Sequence, residues 1–358
     1  MDRKTEVDVK RQKVRTFLQH HSLAGVLLTR QSSFSWYTAG GDNFVAINSD
    51  TGATPILVTG EKDYIIADNI EAPRIQTEEV AGLDFELLQF DWYQSERKEQ
   101  IIKNLTQGGA IATDVGPLAD EFAQLRYSLT ESEIERYRWL GKNTADFMSE
   151  VCQSLRVGVK ESQIAGRLSE SLLSEKIVPV VLLVAADDRI EKFRHPLPME
   201  RRLVRYAMIV VCARRWGLIV SITRLVHLGK LPEWLRKKHN AVIQVDATLI
   251  SHTTPGIPVK QIFEKAVNSY KQVGFADEWK LHHQGGATGY GTRDFKAGFD
   301  STQVVQENQA YAWNPSITGT KSEDTVIALP DRPEVITEIQ DWPMIQAVGI
   351  NRPDILQL

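Results

Sequence analysis

Apolar positions in the first hundred residues follow two spacings. Residues 8–21 carry apolar side chains at helical intervals among charges, which predicts an opening helix. Short apolar runs follow at Gly25–Thr29 (GVLLT), Ala53–Thr59 (ATPILVT) and Tyr64–Ala67 (YIIA), each bounded by turn residues, and these predict strands. Glu96–Asn104 (ERKEQIIKN) returns to helical spacing, so the order is that of an α/β unit.

Near residue 129 the texture changes. Thr130-x-x-Glu133 is a capping box, in which the threonine oxygen accepts an orphan N–H and the glutamate reaches back. A long helix is predicted through ESEIERYRWLGKNTADFMSEVCQSL, and a second from Glu161 to about Glu175. Residues 208–226 (MIVVCARRWGLIVSITRLV) hold two apolar runs around a basic turn ending in Gly217, the signature of a hairpin. Strands are expected at Gln309–Trp313 and Asp324–Ala328, and the helix-helix-hairpin order could recur once around residues 230–290. The expected fold class is therefore α+β, with a small α/β domain over 1–128 and an α+β domain over 129–358.

Composition narrows the function. A net charge of −4 argues against nucleic acid as a partner, since binders carry a basic excess. No apolar run of about 18 residues is present, so no membrane partner is expected. Only Cys152 and Cys212 occur, and the charged N-terminus lacks an apolar signal core, which together point to a cytoplasmic protein.

Three segments could carry chemistry. FRHPLPMERRL puts His195 before Pro-x-Pro, which stiffens the chain and would hold an imidazole suited to proton transfer near neutral pH. LHHQGGATGYGTRD, residues 281–294, sets His282 and His283 before glycines that permit close backbone approach to a ligand. Adjacent histidines on a strand point to opposite faces, so one of the two at most is expected in a given pocket. AWNPSITGTKSEDT, residues 312–325, ends in Glu323, a candidate inward-facing carboxylate. Taken singly, each is as readily an ordinary loop or turn.

Their joint order resembles the pita-bread family of methionine aminopeptidase, prolidase, aminopeptidase P and creatinase. His-Pro-Leu-Pro precedes a strand, a hairpin ends in Ser-Ile-Thr-Arg, and a His-Gly turn, an aromatic-Asn-Pro segment and Glu-Asp-Thr follow. The first half, with LAGVLLTRQSSFSWYTAGGDN and DNIEAPRIQTEEV, resembles the N-terminal domain of the creatinase and prolidase branch.

That resemblance implies two metal ions held by two aspartates, a histidine and two glutamates. One aspartate position falls on Ser221, and the other on Val210 or Cys212. The histidine matches His283, with Gln284 after it, and one glutamate position falls on Asn314. Glu323 matches the last glutamate, and Tyr290 stands where the family has a substrate-contacting histidine. Two divalent ions need several carboxylates to offset their burial, so the two-metal site is expected to be lost and no cofactor is expected. A single zinc ion would have to recruit Cys212 or His282 to reach three ligands.

Creatinase, in the same family, hydrolyses a C–N bond without metal through a histidine at the position matched by His195. The expected activity is accordingly metal-independent C–N hydrolysis of a small amide, amidino or dipeptide-like substrate. His195 would be general acid/base, His283 would bond the reacting group, and Glu323 would orient water or bind a cationic nitrogen. Tyr290, Asn314, Gln284 and Asp42 would contact substrate. The alternatives are a metallo-aminopeptidase for Xaa-Pro peptides with altered ligands, and a non-catalytic binding or scaffold protein. The resemblance also implies a homodimer in which residues 34–44 (FSWYTAGGDNF), through Trp36, Tyr37 and Asp42, close over the partner's pocket.

Overall fold

The opening helix begins earlier than its apolar spacing suggests, at Arg3, and runs to His20. Asp2 explains the shift: its carboxylate accepts the Thr5 N–H at 2.8 Å, satisfying a donor the first helical turn leaves open. In the computed structural model, which describes residues 1–358, the chain forms two units. One is Met1–Glu133 with Trp216–Leu218, and the other is Ile134–Arg215 with Ile219–Leu358.

The first unit is built on a five-stranded mixed sheet in the order 86–90, 63–68, 51–59, 25–30, 111–113. Strand 25–30 runs antiparallel to 51–59 and parallel to 111–113. Val7, Val14, Phe17 and Leu18 form the buried stripe of the opening helix. Lys10 on the same helix is fully buried, and its ammonium reaches Glu6 at 2.6 Å, Glu133 at 2.8 Å and the Trp36 carbonyl at 2.7 Å. Three acceptors for three N–H donors is what makes a buried lysine tolerable.

The segment expected to be a lid is organised differently. Gln31–Tyr37 is a buried helix, and Trp36 packs edge-on against Phe122 with ring centroids 5.9 Å apart. Trp36 and Tyr37 are thus core residues of their own unit, and exposure begins only at Val45 and Ile47.

The second unit opens with helices Glu131–Gln153 and Glu161–Ser174, leading into a four-stranded sheet ordered 356–357, 218–227, 206–215, 178–186. The hairpin turns at Trp216 (φ 54°) and Gly217 (φ 78°), two left-handed residues as its tight connection requires. Helices Glu233–Ser251 and Val259–Gln272 follow, then the short strands 285–288 and 295–296, so the helix-helix-strand-pair order does recur. A second sheet runs 295–296, 285–288, 309–313, 324–328, 334–335. Its core, including Tyr311, Trp313 and Val326, packs on Val245, Leu249, Ile262 and Tyr270 of the helix pair.

Candidate active site

His195 lies in the connection between strands 178–186 and 206–215, and the connection is pinned along its length. Val184 donates its N–H to the Pro196 carbonyl at 3.2 Å. Glu161, buried at the start of its helix, accepts the Ala186 N–H at 2.8 Å and the Met199 N–H at 2.9 Å. The Glu161 N–H in turn donates to the Arg201 carbonyl at 2.9 Å. The imidazole itself is exposed, so the loop is fixed while the ring stays accessible.

The second histidine segment is a transition between two element types. A single 3₁₀ turn over Glu278–Leu281 ends, His282 is extended (φ −159°), and strand 285–288 starts at Gly285. Because His282 and His283 precede the strand, the two-residue alternation of a strand does not apply to them. Their rings stack on each other, with centroids 4.3 Å apart and planes at 27°. Both, not one, therefore join His195: the His282 and His195 Nε2 atoms are 3.1 Å apart, and one ligand nitrogen from each of the three rings lies within 4.8 Å of the others.

Gln284 and the glycines shape this turn. The Gln284 amide is buried, accepting from the Tyr270 hydroxyl at 2.8 Å and donating to the Trp279 and His282 carbonyls at 3.1 and 2.6 Å. Every hydrogen on its nitrogen has an acceptor, so it locks the histidines in place. At Gly285 (φ +99°) a Cβ would collide with the Ala312 carbonyl oxygen, which makes glycine a condition of strand pairing there.

All three imidazoles are held neutral at pH 7. Burial and then Lys321 push His282 down to about 3. Burial followed by the Arg293 charge brings His283 to about 4, and burial with Lys321 lowers His195. The Gly285 N–H donates to His283 Nδ1 at 3.2 Å, and His282 Nδ1 is buried with no partner.

Glu323 is buried and ionised. Burial alone would raise its pKa, but Lys321 and Arg293 outweigh that and hold it at about 2. Its carboxylate accepts from Thr223 Oγ1 at 2.7 Å, Lys321 Nζ at 2.7 Å and Arg293 Nη2 at 3.2 Å. The two cationic nitrogens it binds, on Lys321 and Arg293, are the protein's own.

Val210 and Cys212, the two residues matched to one aspartate position, have different surroundings in the hairpin. Val210 faces the apolar cluster of Leu183, Met208 and Leu225, whereas Cys212 Sγ receives the Ser221 hydroxyl at 3.2 Å. Arg293 Nη1 also reaches Ser221 Oγ, at 3.4 Å. Asn314 is buried with its Oδ1 unpartnered, and Tyr290 is buried in the glycine-rich segment. Asp42 belongs to the first unit, where its N–H donates to Glu79 at 2.8 Å and its carbonyl accepts from Arg74. Arg293, Lys321 and the participation of both adjacent histidines were not anticipated from the sequence.

Residues 135–332 match the model of metallopeptidase family M24. This chain belongs to family M24. Among solved structures it is similar to the prolidase from Pyrococcus horikoshii OT3 (TM-score 0.78, 17% identity, covering 92% of this chain and 98% of that one). It is also similar to the Xaa-Pro dipeptidase from Bacillus anthracis (TM-score 0.76, 16% identity, 98% and 100% covered). A third is the N-terminal domain of FACT complex subunit SPT16 from chickpea, Cicer arietinum (TM-score 0.71, 12% identity, 94% and 97% covered). At these identities the likenesses establish the fold, an N-terminal domain followed by the pita-bread domain. No curated protein matches the chain. Membership in M24 makes the protein a hydrolase of the peptidase type.

The expectation of no cofactor is overturned on two counts. M24 is a family of metallopeptidases, and His195, His282 and His283 form a group able to hold an ion. Glu323 is engaged by two of the protein's own cations, Lys321 and Arg293. A single ion on nitrogen ligands does fit. Metal ligands must be unprotonated, which is the state burial imposes on all three rings, and the Nδ1 of His282 is buried with no partner. Of the two residues the sequence offers to a single zinc ion, Cys212 and His282, His282 is the one in this group.

Proposed function

We propose that this M24 member hydrolyses a C–N bond in a short, dipeptide-like substrate with one divalent ion held by His195, His282 and His283. The observation that carries the reading is the grouping of three neutral imidazoles within 4.8 Å, at a position that two pinned loops converge on. When bound, the ion would polarise the scissile carbonyl and acidify a water molecule. His195, expected as proton carrier, takes a ligand's part here. The unpartnered Asn314 Oδ1 accepts a substrate N–H, and Tyr290 completes the substrate contacts, while Gln284 and Glu161 keep the histidine-bearing loops in register. The working form in this reading is a cytoplasmic homodimer, with no nucleic-acid or membrane partner and with Asp42 bordering the partner's pocket. Sedimentation as a monomer at micromolar concentration would remove that part.

Titration with zinc, cobalt and manganese, read by elemental analysis and by the cobalt absorption spectrum, tests the ion. One equivalent should bind, and His282→Ala should weaken it at least about tenfold, as loss of one of three ligands demands. Dipeptide hydrolysis, Xaa-Pro peptides included, should require the loaded ion. Failure to take up an ion, or two equivalents insensitive to His282→Ala, would refute the arrangement.

A further inference from the structure

In the first unit, aromatic packing locks the opening helix to the short helix Ala119–Gln124. Phe17 meets Phe122 edge-on with ring centroids 5.5 Å apart, and both side chains are buried. Lys13 adds a second tie by donating to the Leu125 carbonyl at 3.2 Å. These anchors carry polar neighbours. His20 and His21 follow Phe17 by about one helical turn, and Glu121 precedes Phe122. The fixed core thus brings His21 and Glu121 together across 100 positions of sequence.

Adjacent residues inside a helix do not face each other. Here His20 closes the helix and His21 caps it, with φ −95° and ψ 3°, and their ring centroids lie 4.8 Å apart. The His21 ring also rests on Phe17, centroid to centroid 4.6 Å, which limits its rotation. Its Nε2 is 2.7 Å from Glu121 Oε1. One ligand atom from each of His20, His21 and Glu121 falls within 4.8 Å of the other two. A surface ion pair accounts for His21 and Glu121 and contributes little to stability, but it leaves the third ligand atom beside them unexplained.

Ligand atoms around a tetrahedral ion with bonds of about 2.0–2.1 Å are roughly 3.3 Å apart. His20 and Glu121 are exposed, so both can swing to that spacing without disturbing the core. Two imidazoles and a carboxylate are a donor set that zinc favours, and they leave a fourth position open to water. Location adds to this: the C-terminal end of an 18-residue helix carries the negative end of its dipole, which favours a cation.

We infer that His20, His21 and Glu121 form a metal site on the first unit, holding one zinc ion or a similar divalent cation that ties the end of the opening helix to the helix at 119–124. The site shares no residue with the group of His195, His282 and His283 and does not rest on the hydrolase reading. Binding is weaker than at a buried group, because two exposed side chains must be ordered and the His21–Glu121 contact must widen to admit the ion. In a zinc titration it is the later equivalent.

The test is calorimetric titration with zinc of chelator-treated, full-length protein, both unsubstituted and as His195→Ala, which breaks the other histidine group. Both should take up an ion with micromolar affinity that His20→Ala, His21→Ala and Glu121→Gln each weaken at least about tenfold. Zinc should also raise the unfolding temperature of His195→Ala, and should no longer do so once His20→Ala and His21→Ala are added. Thermal unfolding without zinc checks that each variant is folded, and the exposed His20 and Glu121 can be replaced at little cost should His21→Ala not fold. Absence of this equivalent from His195→Ala protein, or its persistence at unchanged affinity in the His20→Ala/His21→Ala double variant, overturns the site. An ion lost with the histidines but indifferent to Glu121→Gln overturns the three-ligand arrangement as well.

Discussion

Replacing Glu161 by glutamine should destabilise the protein and loosen the loop bearing His195, although residue 161 lies far from it in sequence. The Glu161 side chain is fully buried and accepts two backbone donors, Ala186 N–H at 2.8 Å before the loop and Met199 N–H at 2.9 Å after it. Arg189 Nε lies 3.0 Å from the first of these oxygens and completes the charge balance. A glutamine keeps one oxygen and turns an NH₂ toward the other backbone N–H, so one buried donor loses its acceptor and meets another donor. An unsatisfied buried donor costs about 1–3 kcal/mol, and an ion pair stripped of one partner adds to that. The expected loss is about 2–4 kcal/mol by urea unfolding, with faster tryptic cleavage at Arg194 under native conditions. Glu161→Ala should cost more, because both N–H groups are orphaned. The reasoning fails if Glu161→Gln unfolds within about 0.5 kcal/mol of the parent and Arg194 stays equally protected.

Asp324→Asn should cost about 3–5 kcal/mol in thermal or urea unfolding, since Asp324 lies 2.9 Å from Arg224 and 2.7 Å from Arg352, both fully buried, and its loss strips Arg224 of its carboxylate and leaves Arg352 with Asp246 alone. A variant that melts with the parent would show the network to be dispensable. Acid should act through His239, whose pKa burial lowers to about 4 while Asp354 opposes the shift. The neutral ring accepts from Thr320 Oγ1 at 2.8 Å and donates to the Pro353 carbonyl at 3.2 Å. The unfolded chain then binds the extra proton between pH 6.5 and about 4, so stability is complete above 6.5 and falls as pH drops through that window, by about 2 kcal/mol at pH 5. His239→Asn should lose about that much less between pH 7 and pH 5, and an unchanged slope would refute the assignment.

The elements legible in the sequence were those whose pattern is local. The hairpin of 206–215 and 218–227 could be read because two apolar runs flank a turn ending in glycine, and the capping box at Thr130 because its two partners are three residues apart. Strand 178–186 went unread for the converse reason. VPVVLLVAA is continuously apolar, so it has no two-residue alternation to separate it from a buried helix, and its pairing partner lies some thirty residues on. Trp36 and Tyr37 misled in the same way: next to Gly40-Gly41 they have the composition of a recognition loop, and only the packing of Phe122 against Trp36 makes them core.

The site shows a sharper limit, because what decides its chemistry is burial. Arg293 and Lys321 stood inside the two segments singled out for their histidines and Glu323, yet a sequence gives no ground for treating an arginine before aspartate, or a lysine in GTKSED, as anything but solvated. Once folded, the same two cations do two things at once. They ionise Glu323, and they help keep His195, His282 and His283 unprotonated. Charge counting on the sequence compared carboxylates with two ions, expected no cofactor, and left a single zinc ion to recruit Cys212 or His282. The omitted quantity was the neutral-ligand set: His282 and His283 lie before the strand, their rings stack, and with His195 they supply three uncharged nitrogens that carry no such deficit. Three imidazole nitrogens should favour zinc and cobalt over oxygen-loving ions such as manganese.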